Sequence, residues 1–149
     1  MAAARHVIVA GAGIAGLTAA LALARAGLRV TVLEQAARLE DAGAGIQLSP
    51  NATRVLIALG LRERLMPSVM MPQAIRVMAG GSGREIVRIP LGAEAERRYG
   101  APYWTIHRGD LQAALAAAAN AEQDVEIKLG ARAEDFAAHV NGVTVQCRR

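Results

Sequence analysis

The sequence predicts an α/β fold in which a βαβ core is interrupted by an antiparallel β-hairpin. Three observations carry this. A Val/Ile run, a glycine-rich turn, a helix-length apolar segment and a second Val-rich run succeed one another within the first 33 residues, the length of a βαβ unit. Near Ala74 the pattern changes to two short alternating runs flanking Gly80-Gly81-Ser82-Gly83, as a hairpin requires. The chain has 149 residues, 53% of them apolar, enough for one domain with a real core. Aromatics are only 3%, so Ala, Leu, Val and Ile must build that core.

Taken in order, His6 to Ala10 reads as a buried parallel strand closed by Gly11. Ile14 to Ala26 reads as a helix with Leu17, Leu21 and Ala24 at helical spacing, stopped by Gly27. Leu28 to Leu33 is the second strand. Ala42 to Leu48 reads as a glycine-rich loop. Ser49-Pro50 reads as N-cap and first helical residue of a helix to Leu59, closed by Gly60. A helical turn covers Leu61 to Met66. Ala74–Met78 and Arg84–Ile89 form the hairpin, and Pro90–Pro102 is expected to be a polar loop. Asp110 is expected to cap a helix from Leu111 to Asn120. Val125–Leu129 reads as a third parallel strand. Two short strands from Phe136 to Cys147 turn at Asn141-Gly142. Residues 1–149 are therefore expected to be one domain, with 70–103 as an excursion into a second sheet.

The turn carries the chemistry. Gly11-Ala12-Gly13-Ile14-Ala15-Gly16 is a G-x-G-x-x-G pattern between a strand and a helix. The first Gly permits the tight turn, the second lets backbone approach a pyrophosphate, and the third lets helix and strand pack closely. The helix N-terminus offers unpaired N–H groups and a positive dipole end to phosphate. Glu34 follows Gly16 by 18 residues, where a carboxylate accepts hydrogen bonds from a ribose. It would repel a 2′-phosphate, which leaves FAD or NAD. The bland alternative is a ligand-free packing turn, but strand, helix and Glu34 together favour a Rossmann-like dinucleotide site.

Net charge is +4 with a sequence pI near 10.2, but the arginines are dispersed and no aromatics interleave with them, which argues against nucleic acid. Cys147 is the sole cysteine, so no intrachain disulfide exists. The apolar stretch from Val7 to Leu28 is broken by four glycines and Arg25 and is too interrupted to span a bilayer. A cytoplasmic location without membrane partners is expected. His6 and His139 have no Cys or acidic partners at metal spacing, so no metal is expected. Trp104 and Tyr103 read as core rather than stacking residues, and His107 as either a packing or a cofactor-facing residue.

The stretches GAGIAGLTAALALARAGLRVTVLEQ, GAGIQLSPNA and RIPLGAEAERRYGAPYWTIHRGDL resemble single-component, FAD-dependent aromatic-ring hydroxylases of the salicylate hydroxylase and 6-hydroxynicotinate 3-monooxygenase type. The first stretch is common to many flavoproteins; the other two are more specific. The resemblance implies FAD as cofactor, with NAD(P)H and a small aromatic substrate as partners. It implies that Gly11, Gly13, Ile14, Ala15 and Gly16 hold the pyrophosphate and Glu34 the ribose. Gln35 and Arg38 would lie near the adenosine. Gly45, Ile46 and Gln47 would pass close to the flavin or its ribityl chain, and Arg108 would contact the cofactor. Gln47 departs from hydroxynicotinate-type members that carry a His base there: an amide has no titratable proton. No catalytic residue is assigned beyond Gln47 near the flavin.

The resemblance further implies a truncated flavoprotein hydroxylase fold. Family members are more than twice as long, and their later Asp-Gly and Gly-Asp motifs do not occur here. The 70–103 excursion would belong to the substrate-side sheet. A fragment inactive by itself, with self-association through unpaired edges, is the expectation. An NAD-dependent dehydrogenase domain is the first alternative, although it would continue as βαβ after Glu34. A non-catalytic remnant acting by association is the second.

Overall fold

In the computed structural model, which describes residues 5–39 and 43–148, the chain forms two compact units. The first comprises Met1–Asp41 with Leu111–Arg149, and the second Ala42–Asp110. The 70–103 excursion falls inside the second.

In the first unit, β1 (His6–Ala10), α1 (Ile14–Arg25) and β2 (Arg29–Leu33) build the expected βαβ. The two strands are parallel, with His6 opposite Arg29 and Ala10 opposite Leu33. β-Branched and Leu side chains suit β2 to the sheet centre, where Val30, Thr31, Val32 and Leu33 are all buried. α1 packs back through Leu17, Ala20 and Leu21. It ends where Gly27 takes φ +78, a conformation that costs a glycine little.

The second half of this unit supplies α5 (Arg108–Ala121), β7 (Val125–Lys128), β8 (Arg132–His139) and β9 (Gly142–Arg148). β7 pairs parallel with β2, which gives the sheet order β1-β2-β7. Leu111, Leu115 and Ala119 form the buried stripe of α5 at i, i+4 spacing. The α5 boundary corrects the sequence-based one: the helix begins at Arg108, so Asp110 lies in its first turn, where its charge complements the dipole instead of capping. β8 and β9 form an antiparallel hairpin that begins four residues before Phe136. Its turn is also shifted. Gly142 pairs with His139, so Val140 and Asn141 make the bend.

In the second unit, β3 (Gly45–Leu48) pairs antiparallel with β6 (Trp104–His107). This corrects the expected glycine-rich loop over 42–48, of which Ala42 lies outside the described residues. Ile46 and Leu48 alternate as in any strand, but the partner lies more than 50 residues away, beyond local pattern. α2 (Pro50–Ala58) and α3 (Arg62–Leu65) follow. Ser49 stands at the N-cap of α2, yet its hydroxyl turns to Asn51 Oδ1 and the helix N–H groups of Ala52 and Thr53 bond its carbonyl. The hairpin β4 (Ala74–Met78) and β5 (Glu85–Pro90) forms as expected. Its register stacks Ile75 with Ile89 and Val77 with Val87 on one face, and Arg76 with Arg88 on the other.

The expected loop over 90–102 instead contains α4 (Ala93–Tyr99). Its Ala and Glu are good helix formers, its acids precede its arginines as the dipole prefers, and Gly100 at φ +71 ends it. The flanking prolines and the density of charge hide these features. Thr53 ties the unit together: fully buried, it donates to Pro102 O at 2.6 Å. Thr53→Val keeps the shape and removes the donor. It is expected to cost about 1–3 kcal/mol, because a buried carbonyl loses its partner; urea unfolding measures this.

Candidate functional site

The glycine turn is built as its spacing demands. Gly11 takes φ +101, and its N–H donates to Leu33 O at 2.7 Å, which ties the turn to the end of β2. A Cβ on Gly16 would lie 1.9 Å from Gly11 O, so the third glycine is what lets α1 rest against the turn. A Cβ on Gly13 would meet nothing within 4 Å; it would project into open space where a ligand could approach. Gly13 is the N-cap of α1 and no side chain caps the helix. The first turn, including Ile14 and Ala15, holds no acidic residue. Its N–H groups have no acceptor within the helix.

Glu34 stands at the end of β2, half-buried. Its Oε2 accepts from Ala12 N–H at 2.7 Å and its Oε1 from Ala36 N–H at 2.8 Å. An ionised carboxylate has about four acceptor positions, so roughly half its capacity remains for ribose hydroxyls. A cavity of about 340 Å³ opens beside it, lined by Gly11, Leu33, Glu34, Gln35 and Arg132 among others. Arg38 is exposed and is not among the lining residues. Open space at Gly13, an uncapped helix end and a pre-aimed carboxylate together fit the ADP portion of a dinucleotide.

Sequence reasoning missed two residues here. Arg132, at the start of β8, lines the cavity. Gln112 Nε2 donates to Ala12 O at 2.9 Å. No local pattern marks either residue, because each meets the turn only through the fold.

In the second unit, β3 and β6 bring Gly45, Ile46 and Gln47 opposite His107, Ile106 and Thr105. Arg108 N–H donates to Ala44 O at 3.1 Å. Gly43, at φ +147, lies so close to Arg108 that a Cβ there would sit 3.0 Å from the arginine Cβ. The expected cofactor-facing residues of this unit are thus brought together. His107 fastens them: its Nε2 meets Gly43 O at 2.9 Å and its Nδ1 accepts from Gly109 N–H at 3.3 Å. Because a carbonyl only accepts, the imidazole carries its proton on Nε2. Tyr103 OH donates to Gln47 Oε1 at 2.7 Å, which leaves the amide N–H₂ of Gln47 as the group it can offer a ligand. Trp104 is fully buried, as expected of a core residue. Arg108 forms no ion pair with Asp110 among the described residues.

A larger cavity of about 560 Å³ lies within this unit. The apolar hairpin face (Ile75, Ile89) forms one wall. Tyr99 and Tyr103 contribute aromatic surface, Arg54 and Arg98 contribute positive charge, and Glu94 contributes a carboxylate. No helix among the described residues is long and apolar enough to cross a membrane.

Comparison with known proteins agrees with this geometry. A family model described as an FAD binding domain matches residues 4–149. The chain is 48% identical over 110 residues to a 3-amino-4-hydroxybenzoate 2-monooxygenase of Streptomyces cremeus, covering 74% of this chain and 28% of that protein. It is 40% identical over 113 residues to a 6-hydroxynicotinate 3-monooxygenase of Bordetella bronchiseptica, covering 76% of this chain and 30% of the relative. Among solved structures it resembles a 2-methyl-3-hydroxypyridine-5-carboxylic acid oxygenase, with a TM-score of 0.76 at 29% identity over 96% of this chain and 36% of that one. The chain thus spans about a third of the length of the proteins it matches.

Proposed function

From the premise that this chain belongs to the FAD binding domain family, we propose that it is the FAD-holding part of an NAD(P)H-dependent aromatic-ring monooxygenase that hydroxylates a small aromatic acid. FAD is the cofactor. The observation that carries the reading is the turn itself: Gly16 packed under Gly11, Gly13 open, and Glu34 aimed by two backbone N–H groups.

The N–H groups of Gly13, Ile14 and Ala15 bind the pyrophosphate, and Glu34 binds the ribose. Gln35 and Arg38 serve the adenosine end. Gly45, Ile46 and Gln47 serve the flavin side, and Arg108 pairs with a phosphate or ribityl oxygen. The chemistry supplied by bound FAD is two-electron redox coupled to activation of O₂. Gln47 orients by hydrogen bonding and moves no proton of its own. An aromatic acid is supported by the names of the relatives and by the largely apolar cavity whose lining includes two arginines, Arg54 and Arg98, against one carboxylate, Glu94, a size and lining typical of small-molecule sites. The residues assigned here hold the cofactor, and the 149-residue chain by itself is expected not to complete turnover.

Titration of the purified 149-residue chain with FAD and with NAD tests the reading. Saturable uptake of FAD, read from the flavin band near roughly 450 nm, is expected, with NAD bound at least tenfold more weakly. Preference for NAD would overturn it in favour of a dehydrogenase domain. NADH consumption with 3-hydroxybenzoate or salicylate is expected to stay at background, and aromatic-dependent turnover would refute the inactivity of the chain by itself.

A further inference from the structure

Two successive peptide groups of the turn are held from opposite ends of the sequence. The N–H of Ala12 donates to Glu34 Oε2 at 2.7 Å. The carbonyl of the same residue accepts from Gln112 Nε2 at 2.9 Å, from 100 residues further along the chain. Ala12 itself is fully buried, and its two partners are half-buried. The atom assignment at Gln112 is fixed by chemistry: a carbonyl only accepts, so the amide nitrogen must face it.

The peptide between Ala12 and Gly13 is trans. In a planar trans peptide the C=O and N–H point in opposite directions. A donor that holds Ala12 O therefore also sets the direction of Gly13 N–H, which is turned away from Gln112. Gly13 is the N-cap of α1, uncapped by any side chain, with open space at its Cα. Its N–H stands beside the unpaired N–H groups of the first helical turn. We infer that Gln112 is a positioning residue for pyrophosphate: by holding Ala12 O it aims Gly13 N–H at the phosphate position, without touching the ligand itself. This rests on the FAD reading above. It adds a residue from the second half of the first unit to a site that the motif describes only through residues 11 to 34.

The consequence is selective. Loss of the Gln112 contact frees the 12–13 peptide to rotate, which weakens ligands that carry a diphosphate. It leaves the ribose contact at Glu34 in place. Calorimetric titration of FAD and ADP, with ligand-observed NMR for adenosine, therefore separates positioning from general damage. Gln112→Leu and the similarly long, uncharged Gln112→Met, neither of which offers an amide donor or adds charge beside the phosphate, are expected to bind FAD and ADP about tenfold more weakly. Adenosine is expected to stay within about twofold of wild type in both. Unfolding curves identify which variant is folded, and either suffices. ADP affinity equal to wild type in a folded variant would overturn the inference, as would equal losses for ADP and adenosine. A wild-type chain that binds neither FAD nor ADP would instead overturn the cofactor reading on which it stands.

Discussion

Gly16→Ala is expected to abolish FAD binding and to destabilise the first unit by about 3 kcal/mol or more. The added Cβ would lie 1.9 Å from Gly11 O and 3.1 Å from Gly11 C. Both are backbone atoms, so no rotamer change relieves the clash. Gly11 cannot give way cheaply either, since its N–H is bonded to Leu33 O and its φ is +101. Relief must come from moving α1 off β1 or from breaking the turn. Gly13→Ala provides the contrast. Its φ of −73 suits any residue and the new methyl group meets nothing within 4 Å. That variant should unfold at the wild-type urea midpoint while losing FAD affinity, because the methyl occupies the approach of the phosphate. A Gly16→Ala protein with the wild-type midpoint would show that the close packing is not required.

The parts of the fold that were legible in the sequence are those whose cause is local. β1, α1, β2 and β7 follow from runs of Val and Ile, helical spacing and the position of Gly27, and each was placed to within a residue or two. β3 was hidden because its partner β6 is far along the chain, and four residues following a glycine-rich stretch carry little pattern of their own. α4 was hidden behind Pro90 and Pro102, although Ala93 to Tyr99 has the composition and charge order of a helix. Asp110 has the right residue type for a cap but sits inside the helix, whereas Ser49 is the N-cap as expected and differs only in turning its hydroxyl to Asn51.

The site divides along the same line. The glycines and Glu34 were legible because the roles of the turn are encoded in spacing within a single βαβ unit. The N–H groups that aim Glu34 come from the same segment. Gln112, Arg132 and Tyr103 were not legible as site residues. Each acts on a group brought to it by tertiary structure: the Ala12 carbonyl, the cavity beside Glu34, and the Gln47 amide. For His107 the sequence left packing and cofactor contact open. Its two ring nitrogens are engaged by Gly43 and Gly109, which makes it a fastener for the Arg108 segment.

Glu34→Ala is expected to have the second large effect, and one of a different kind. The Glu34 backbone is fixed on both sides, its N–H bonded to Lys128 O at 2.9 Å and its carbonyl accepting from Ala131 N–H at 2.8 Å. Truncating the side chain should therefore leave the strand in place and act through the carboxylate alone. Two N–H groups lose an ionised acceptor, and that of Ala12 is buried. Hydrogen bonds to charged groups contribute about 1.5–3 kcal/mol each, part of which water recovers at the half-buried Ala36. A net loss of about 2–3 kcal/mol in urea unfolding is expected. FAD affinity should fall by about a hundredfold, since the ribose loses its acceptor and Ala12 loses one of its two anchors. Adenosine separates this variant from those at Gln112: it carries the ribose and no phosphate, so its binding should collapse with Glu34→Ala. Glu34→Gln, which keeps one acceptor oxygen, should fall between the two. Retention of wild-type adenosine affinity by a folded Glu34→Ala protein would mean that the carboxylate serves the turn alone, and that the ribose is held elsewhere.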